Sequence, residues 1–222
     1  MKHYTFPLLA AVLVLVLSSL ACQAINIGQQ SVPPVSNTSS NLLFQDDFSS
    51  SSSGWDIVRV DDGITDYENN AYRIFVNLAN NDVWANPGLS FTDVRIEVDA
   101  TKIGGPDDND FGVQCRYKDT DNFYFFIISS DGYYGIGKVF NGEQSLIGME
   151  SLATSDVIHQ GQATNHIAAE CKGDQLTLWV NGVELYSVQD SEFSSGDVGL
   201  MAGTFDTVGT DISFDNFVVK QP

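Results

Sequence analysis

The sequence predicts an all-β fold, and three observations predict it. Apolar and polar residues alternate in Tyr72–Asn77, Phe91–Thr101, Phe111–Tyr117, Phe123–Ser129, His166–Cys171, Leu176–Val180 and Ile212–Val219. That is the period of a chain whose side chains point to opposite faces in turn. Turn signals separate these runs: Asn69-Asn70, Ser130-Asp131-Gly132, Gly173-Asp174 and Asn181-Gly182. The last is the strongest, because Asn-Gly accommodates the positive φ angles of a two-residue hairpin turn. No stretch shows the 3.6-residue apolar spacing of an amphipathic helix. Many short strands at regular spacing make a sandwich or barrel. The roughly 180 residues from Leu42 onward suffice for one sizeable core.

The chain before that domain reads differently. It opens MKHYTFPLLAAVLVLVLSSLAC, one lysine ahead of an apolar run from Phe6 to Leu17. A run of about a dozen apolar residues suits the core of a signal peptide, whereas a bilayer span needs roughly 20. Ser-Leu-Ala-Cys at 19–22 is similar to a bacterial lipoprotein cleavage box, although Ser19 holds the place of the usual large aliphatic residue. The similarity implies a signal peptide over 1–21 and a lipidated Cys22. Residues 22–41 are rich in Ser, Asn, Gln and Pro, too polar to bury a core, and read as a flexible tether. The expected protein is exported and lipid-anchored at the bacterial cell surface, with one domain over 42–222.

Three cysteines are an odd count for an exported chain. If lipid takes Cys22, Cys115 and Cys171 remain as a pair in a compartment where a disulfide persists, and a bridge between them is expected. Charge sets a further bound. The chain holds 10 basic and 29 acidic residues, a net of −19. That field repels phosphate backbones and anionic head groups, so nucleic acid is excluded as a partner and membrane contact is expected only through the anchor.

Two hairpins carry the reading of faces. Around Asn181-Gly182, Val180 pairs with Val183 and Trp179 with Glu184, so Leu176, Leu178, Val180, Val183 and Leu185 share one face, and Thr177, Trp179, Glu184 and Tyr186 the other. In FGVQCRYKDTDNFYFFI at 111–127, a five-residue KDTDN loop pairs Cys115 with Phe125 and Arg116 with Tyr124. Val113, Cys115, Phe125 and Ile127 then form the core face. Gly112, Gln114, Arg116, Tyr124 and Phe126 form an outer face of rings and planar polar groups, the pattern of a ligand site. The alternative is that other chain covers this face and makes it a second core.

LFQDDFS at 43–49, Gly54-Trp55, the Tyr67…Tyr72 hairpin, the segment 111–139, NHIAAECKGDQLTLWVNG at 165–182 and FDNFVV at 214–219 together resemble concanavalin A-like jelly rolls. The nearest group is the bacterial extracellular class of 3-keto-disaccharide hydrolase and laminin-G-like domains. The resemblance implies a two-sheet antiparallel jelly-roll sandwich, with carbohydrate the usual ligand on its concave side. Laminarinase-type enzymes of this fold use Glu-x-Asp-x-x-Glu on one strand. Here Glu97 and Asp99 share a face, but Thr101 and Lys102 stand where the third carboxylate would be expected. Glu97 and Asp99 are therefore the only catalytic candidates, and solvated decoration is the competing reading. His159 and His166 are too few for a zinc site, and no Gly-x-Ser-x-Gly elbow or phosphate-cradling loop is present.

Structural calcium is the one cofactor the sequence suggests. Asp46 and Asp47 open the domain and Asp215 and Asn216 close it, and terminal strands of jelly rolls often lie side by side. Asp107-Asp108-Asn109-Asp110 and Asp119-Thr120-Asp121 read as further acid-rich loops. The expected ligand face is Arg116, Tyr124, Gln114 and Trp179, with Trp84 from a nearby loop. Three functions follow: a non-catalytic carbohydrate-binding domain, a glycoside hydrolase acting on a keto-disaccharide or glucan through Glu97 and Asp99, or a structural, protein-binding module.

Overall fold

The computed structural model describes residues 41–222; the leader, Cys22 and nearly all of the tether lie outside the described residues. In chain order the strands are β1 Leu42–Asp46, β2 Val58–Val60, β3 Gly63–Glu68, β4 Ala71–Val76, β5 Asn81–Ala85, β6 Val94–Gly104, β7 Asn109–Asp119 and β8 Asn122–Ile128. They continue as β9 Tyr133–Phe140, β10 Glu143–Leu146, β11 Ala153–Thr154, β12 Thr164–Lys172, β13 Gln175–Val180, β14 Val183–Gln189, β15 Asp197–Thr204 and β16 Thr210–Lys220. The first sheet runs β14-β13-β12-β6-β16-β4-β3-β2 with β1 beside β16, and the second β10-β9-β8-β7-β15-β5 with β11 beside β9. Every pairing is antiparallel. The two sheets pack as a sandwich over one core.

The first sheet follows the alternation rule. In β6, Val94, Ile96, Val98 and Ala100 are buried and the residues between them half-exposed. Strands β4 and β16 repeat the pattern with Tyr72, Ile74, Val76, Ile212 and Phe214. Asn181 and Gly182 adopt φ of 51° and 83°, the mirror-image turn that Asn-Gly favours. The β13–β14 register differs from expectation beyond that turn. A bulge between Leu178 and Trp179 sets Leu178 opposite Tyr186, so Tyr186 turns inward and donates its hydroxyl to the Ile147 carbonyl at 3.2 Å.

At one end of the sandwich, Phe48, Trp55, Tyr67, Tyr72 and Phe217 form a ring cluster with centroids 4.9–6.2 Å apart. Asp46 ties it down: Oδ1 accepts the Phe48 amide at 2.8 Å and Oδ2 the Trp55 indole N–H at 3.0 Å.

The second sheet breaks the expected register. Cys115 pairs with Tyr124 and Gln114 with Phe125, and the next pair in register is Asp119 with Asn122. The turn is thus two residues, Thr120-Asp121, and the surplus is absorbed by a bulge over 116–118 on β7. Arg116 takes φ of 53° there, a left-handed conformation uncommon outside glycine and the Asx residues. One residue of slip exchanges the faces of β8. Phe111, Val113, Cys115, Tyr124, Phe126 and Ile128 point into the sandwich core. Phe123, Phe125 and Ile127 point away from it and form a second apolar cluster with Met201. Cys115 and Cys171 are bridged, which staples β7 of one sheet to β12 of the other.

Candidate functional site

Both faces of the second sheet are apolar, so its outer face is where a site must be sought. Strand register lays the outward residues in rows. In the first row Gly203 lies directly between Asp82 and Asp110. In the next, Met201 lies between Trp84 and Gly112, and Ile127 and Gly135 continue it. In the third, Gly199 neighbours Gln114, followed by Phe125, Gly137 and Leu146. Glycines thus alternate with large side chains, and the neighbours fill the space they leave. A Cβ on Gly137 would strike the Phe125 ring, and one on Gly135 would lie 2.6 Å from Leu152.

This face is curved. The six main strands at about 4.8 Å spacing would hold β10 and β5 roughly 24 Å apart if flat. Yet Gln144 of β10 and Asp110 of β7 line one cleft of about 230 Å³ with Phe125, Ile127, Leu146 and Phe205, and Gln144 is near enough to Asp82 of β5 to lower its pKa. A second cleft of about 620 Å³ shares Leu152 and Phe205 and adds Asp108, Ser129, Asp131 and Tyr133. Beside them runs an aromatic row in which Phe123 lies 5.4 Å from half-buried Trp84 and 5.6 Å from half-buried Tyr117.

Beside the smaller cleft, which Asp110 lines, two carboxylates crowd one point. A methyl on Gly203 would run into Asp82 Oδ1 and stand 2.7 Å from both oxygens of Asp110. Asp110 is 6% exposed, and its Oδ1 has no hydrogen-bond partner. Burial pushes the Asp82 pKa up to about 6, against a smaller lowering by Gln144. Burial first, and the neighbouring Asp82 charge second, raise Asp110 well above the usual carboxylate range. Two negative charges this close in an apolar setting retain a proton between them.

The sign of the pH effect follows. A carboxyl whose folded-state pKa exceeds its unfolded value binds its proton more tightly when folded. Its contribution is intact at low pH and lost as pH rises from the ordinary carboxylate range through about 6. The melting temperature is expected to fall across that window, and Asp110→Asn is expected to flatten the fall. An unchanged slope in the variant would assign it to other groups.

The residues expected to bind ligand are divided among three places. Arg116 and Tyr124, expected outward, are sealed in the interior at 2% and 0% exposure. They grip the chain's own backbone: Arg116 donates to the Phe193 carbonyl at 2.7 Å, and the Tyr124 hydroxyl accepts the Phe193 amide at 3.0 Å and donates to Asp190 Oδ1 at 2.6 Å. The bulge is the reason, since it moves both side chains to the core side of β7 and β8. Gln114 does face outward but lies beneath the second cluster at 0% exposure. Its Oε1 is 3.5 Å from Asn86 Nδ2 and its Nε2 is unpartnered. Trp84 sits on β5 rather than in a loop, on the cleft face. Trp179 is on the outer surface of the other sheet, with the Arg95 guanidinium 4.5 Å above its ring.

Glu97 and Asp99 also lie on that other sheet. Burial works to raise the Glu97 pKa, but Lys220 at 2.6 Å and Arg95 at 2.8 Å outweigh it and hold the carboxyl below its usual range. Asp99 accepts from His166 Nδ1 at 2.7 Å and from Asn216 Nδ2 at 3.0 Å. Both are held in ion-pair and hydrogen-bond ladders. Of the calcium candidates, Asp46, Asp47 and Asn216 line a common cleft, while Asp215 Oδ1 accepts its neighbour's amide. Both Asp46 oxygens already accept N–H donors, and among the described residues no cluster of three or more His, Cys, Asp or Glu could hold a metal.

Asp82, Tyr117, Phe123, Gln144 and Phe205 escaped sequence reading. Asp110 was expected in an acid-rich loop but belongs to β7. The available signal was alternation itself: Asp82 and Trp84, and Asp110, Gly112 and Gln114, each fall two apart on one face.

No protein-family model matches the chain, and no curated protein matches it. Solved structures do. The carbohydrate binding module CBM66 from Bacillus subtilis superposes with a TM-score of 0.61 at 20% identity, over 76% of this chain and 96% of that one. The fold is the concanavalin A-like jelly roll. The catalytic domain of an endo-1,3-beta-glucanase (laminarinase) from Thermotoga petrophila RKU-1 superposes at 0.57 and 10% identity, over 81% and 97% of the two chains. A xylan beta-1,4-xylosidase from Bacillus halodurans C-125 gives 0.57 at 11%, over 80% of this chain and 39% of that one. At these identities the likeness establishes the jelly roll alone.

Proposed function

We propose that this domain is a non-catalytic carbohydrate-binding module, carried at the cell surface by a lipid on Cys22. The observation that carries the reading is the curved outer face of the second sheet. There half-buried Trp84 and Tyr117 flank buried Phe123 beside clefts that hold a few polar groups among apolar walls. Flat rings cover the C–H faces of a sugar, and sparse polar groups orient its hydroxyls. The superposition on a carbohydrate-binding module and on glycan-active enzymes supports the same class. The candidates for catalysis do not favour hydrolysis. Glu97 and Asp99 are tied up in pairs, and Asp82 and Asp110 converge on one point, leaving no room for the scissile bond that retaining or inverting pairs flank at roughly 5–9.5 Å.

A glycan array on the secreted domain tests the class, and isothermal titration of a hit tests the site. Trp84→Ala is expected to weaken binding about tenfold, the loss of one stacking contact of about 1.4 kcal/mol, with melting temperature little changed. Binding that survives both Trp84→Ala and Tyr117→Ala would remove the site from this face.

A further inference from the structure

The cleft over Gly203 contains features that a site for neutral sugars does not require. Its polar lining is Asp110, Gln144 and Ser145, of which only Asp110 carries a charge. Beside the cleft Asp82 meets the lining residue Asp110 over Gly203, one oxygen of Asp110 is buried without a partner, and the single amide is Gln144. Among the described residues that line it, none is basic. The adjoining cleft adds Asp108 and Asp131 and again no basic side chain. An ionised carboxylate only accepts hydrogen bonds, and a primary ammonium has three donors and no acceptor. The walls, Phe125, Ile127, Leu146 and Phe205, are apolar and so strengthen a charge pair formed against them. The volume of about 230 Å³ admits one ring-sized body. The net charge of −19 draws cations toward the mouth.

From this we infer that the cleft over Gly203 takes the protonated amine of an amino sugar, held between Asp82 and Asp110 with the ring against Phe125 and Phe205. The inference rests on the carbohydrate-binding reading and names the substrate class for it. Without ligand the two carboxylates hold a proton between them. When the ammonium enters it takes the place of that proton, so the balanced event is one ligand cation bound and one proton released to solvent. A divalent cation is the competing occupant of a carboxylate pair. It would need six or more oxygens, and among the described residues no third acid completes such a set.

Three tetrasaccharides with one β-1,4 backbone decide the matter: glucosamine, N-acetylglucosamine and glucose, which differ only in an amine, an amide or a hydroxyl at C2. Titrations run on the secreted domain at pH 5.5 and 150 mM salt, in two buffers of different ionisation heat. The amine form is expected to bind at least tenfold more tightly than the other two and to release about one proton. Asp110→Asn and Asp82→Asn are each expected to erase that preference. Either variant removes a single charge from so acidic a chain, so unspecific attraction to the amine would persist in both. Equal binding of the three sugars, a preference that survives both variants, or binding abolished by chelator would overturn the inference and leave the carbohydrate reading standing. Failure of every glycan to bind would overturn both. The proton count uses the unmodified protein, so a variant that does not fold leaves the test intact.

Discussion

Replacing Cys115 and Cys171 by alanine is expected to lower the stability of the folded domain by about 4 kcal/mol. The bridge spans 56 residues, and closing a loop of that length removes roughly that much entropy from the unfolded chain. Its placement adds to the effect. It joins β7 of one sheet to β12 of the other at positions with no exposure, so the two sheets stay tethered even in partly opened states. Denaturant melts of the oxidised wild type and the double variant provide the check. A difference under about 1 kcal/mol would mean that the reduced chain keeps the sheets together by packing alone. Reduction of the native protein is expected to shift the midpoint in the same direction.

Arg116→Ala is expected to cost about 3 kcal/mol of stability, an effect on folding rather than on ligand affinity. The guanidinium is 2% exposed and donates to the Phe193 carbonyl at 2.7 Å, the Thr92 carbonyl at 3.3 Å and Asp93 at 3.3 Å. Truncation leaves two carbonyls without a donor and empties a large volume beside the bulge. The Asp93 pair contributes little, because that carboxylate is 44% exposed. Arg116→Lys is expected to recover only part of the loss, since an ammonium lacks the fork that reaches several acceptors in one plane. Equilibrium unfolding of the three proteins measures this. A stable Arg116→Ala variant with weakened glycan binding would instead restore the residue to a ligand-contacting role.

The contrast between the two sheets explains what the sequence made legible. Strands β4, β6 and β16 alternate cleanly because one of their faces meets solvent, and they were readable as strands from the chain alone. So was the turn at Asn181-Gly182, and so was the Cys115–Cys171 pairing. Strands β5, β9 and β15 were not. Strand β15 is buried at every position and β5 half-exposed at all but its last, so neither alternates, and Gly135 and Gly137 on β9 and Gly199 and Gly203 on β15 lower the apparent preference for extended structure. Those glycines are the places where Phe125, Leu152, Asp82 and Asp110 need room, so the feature that builds the candidate site also hid it. The face assignment of the β7–β8 hairpin failed on a single residue. An arginine at φ 53° announces no bulge, and a slip of one position exchanged interior for exterior. Gln114, Arg116 and Tyr124 were read as one surface, although Gln114 lies on the opposite side of the sheet from the other two.

The second apolar cluster has a consequence for how such a domain diversifies. Phe123, Phe125, Ile127 and Met201 are at most 5% exposed, so they hold the curved sheet in shape while standing next to the space a ligand would occupy. A substitution that reshapes this recess also loosens the sheet beneath it. Descendants of this chain are therefore expected to retune preference through the rim, at Trp84, Tyr117 and Gln144, and to keep the floor nearly fixed.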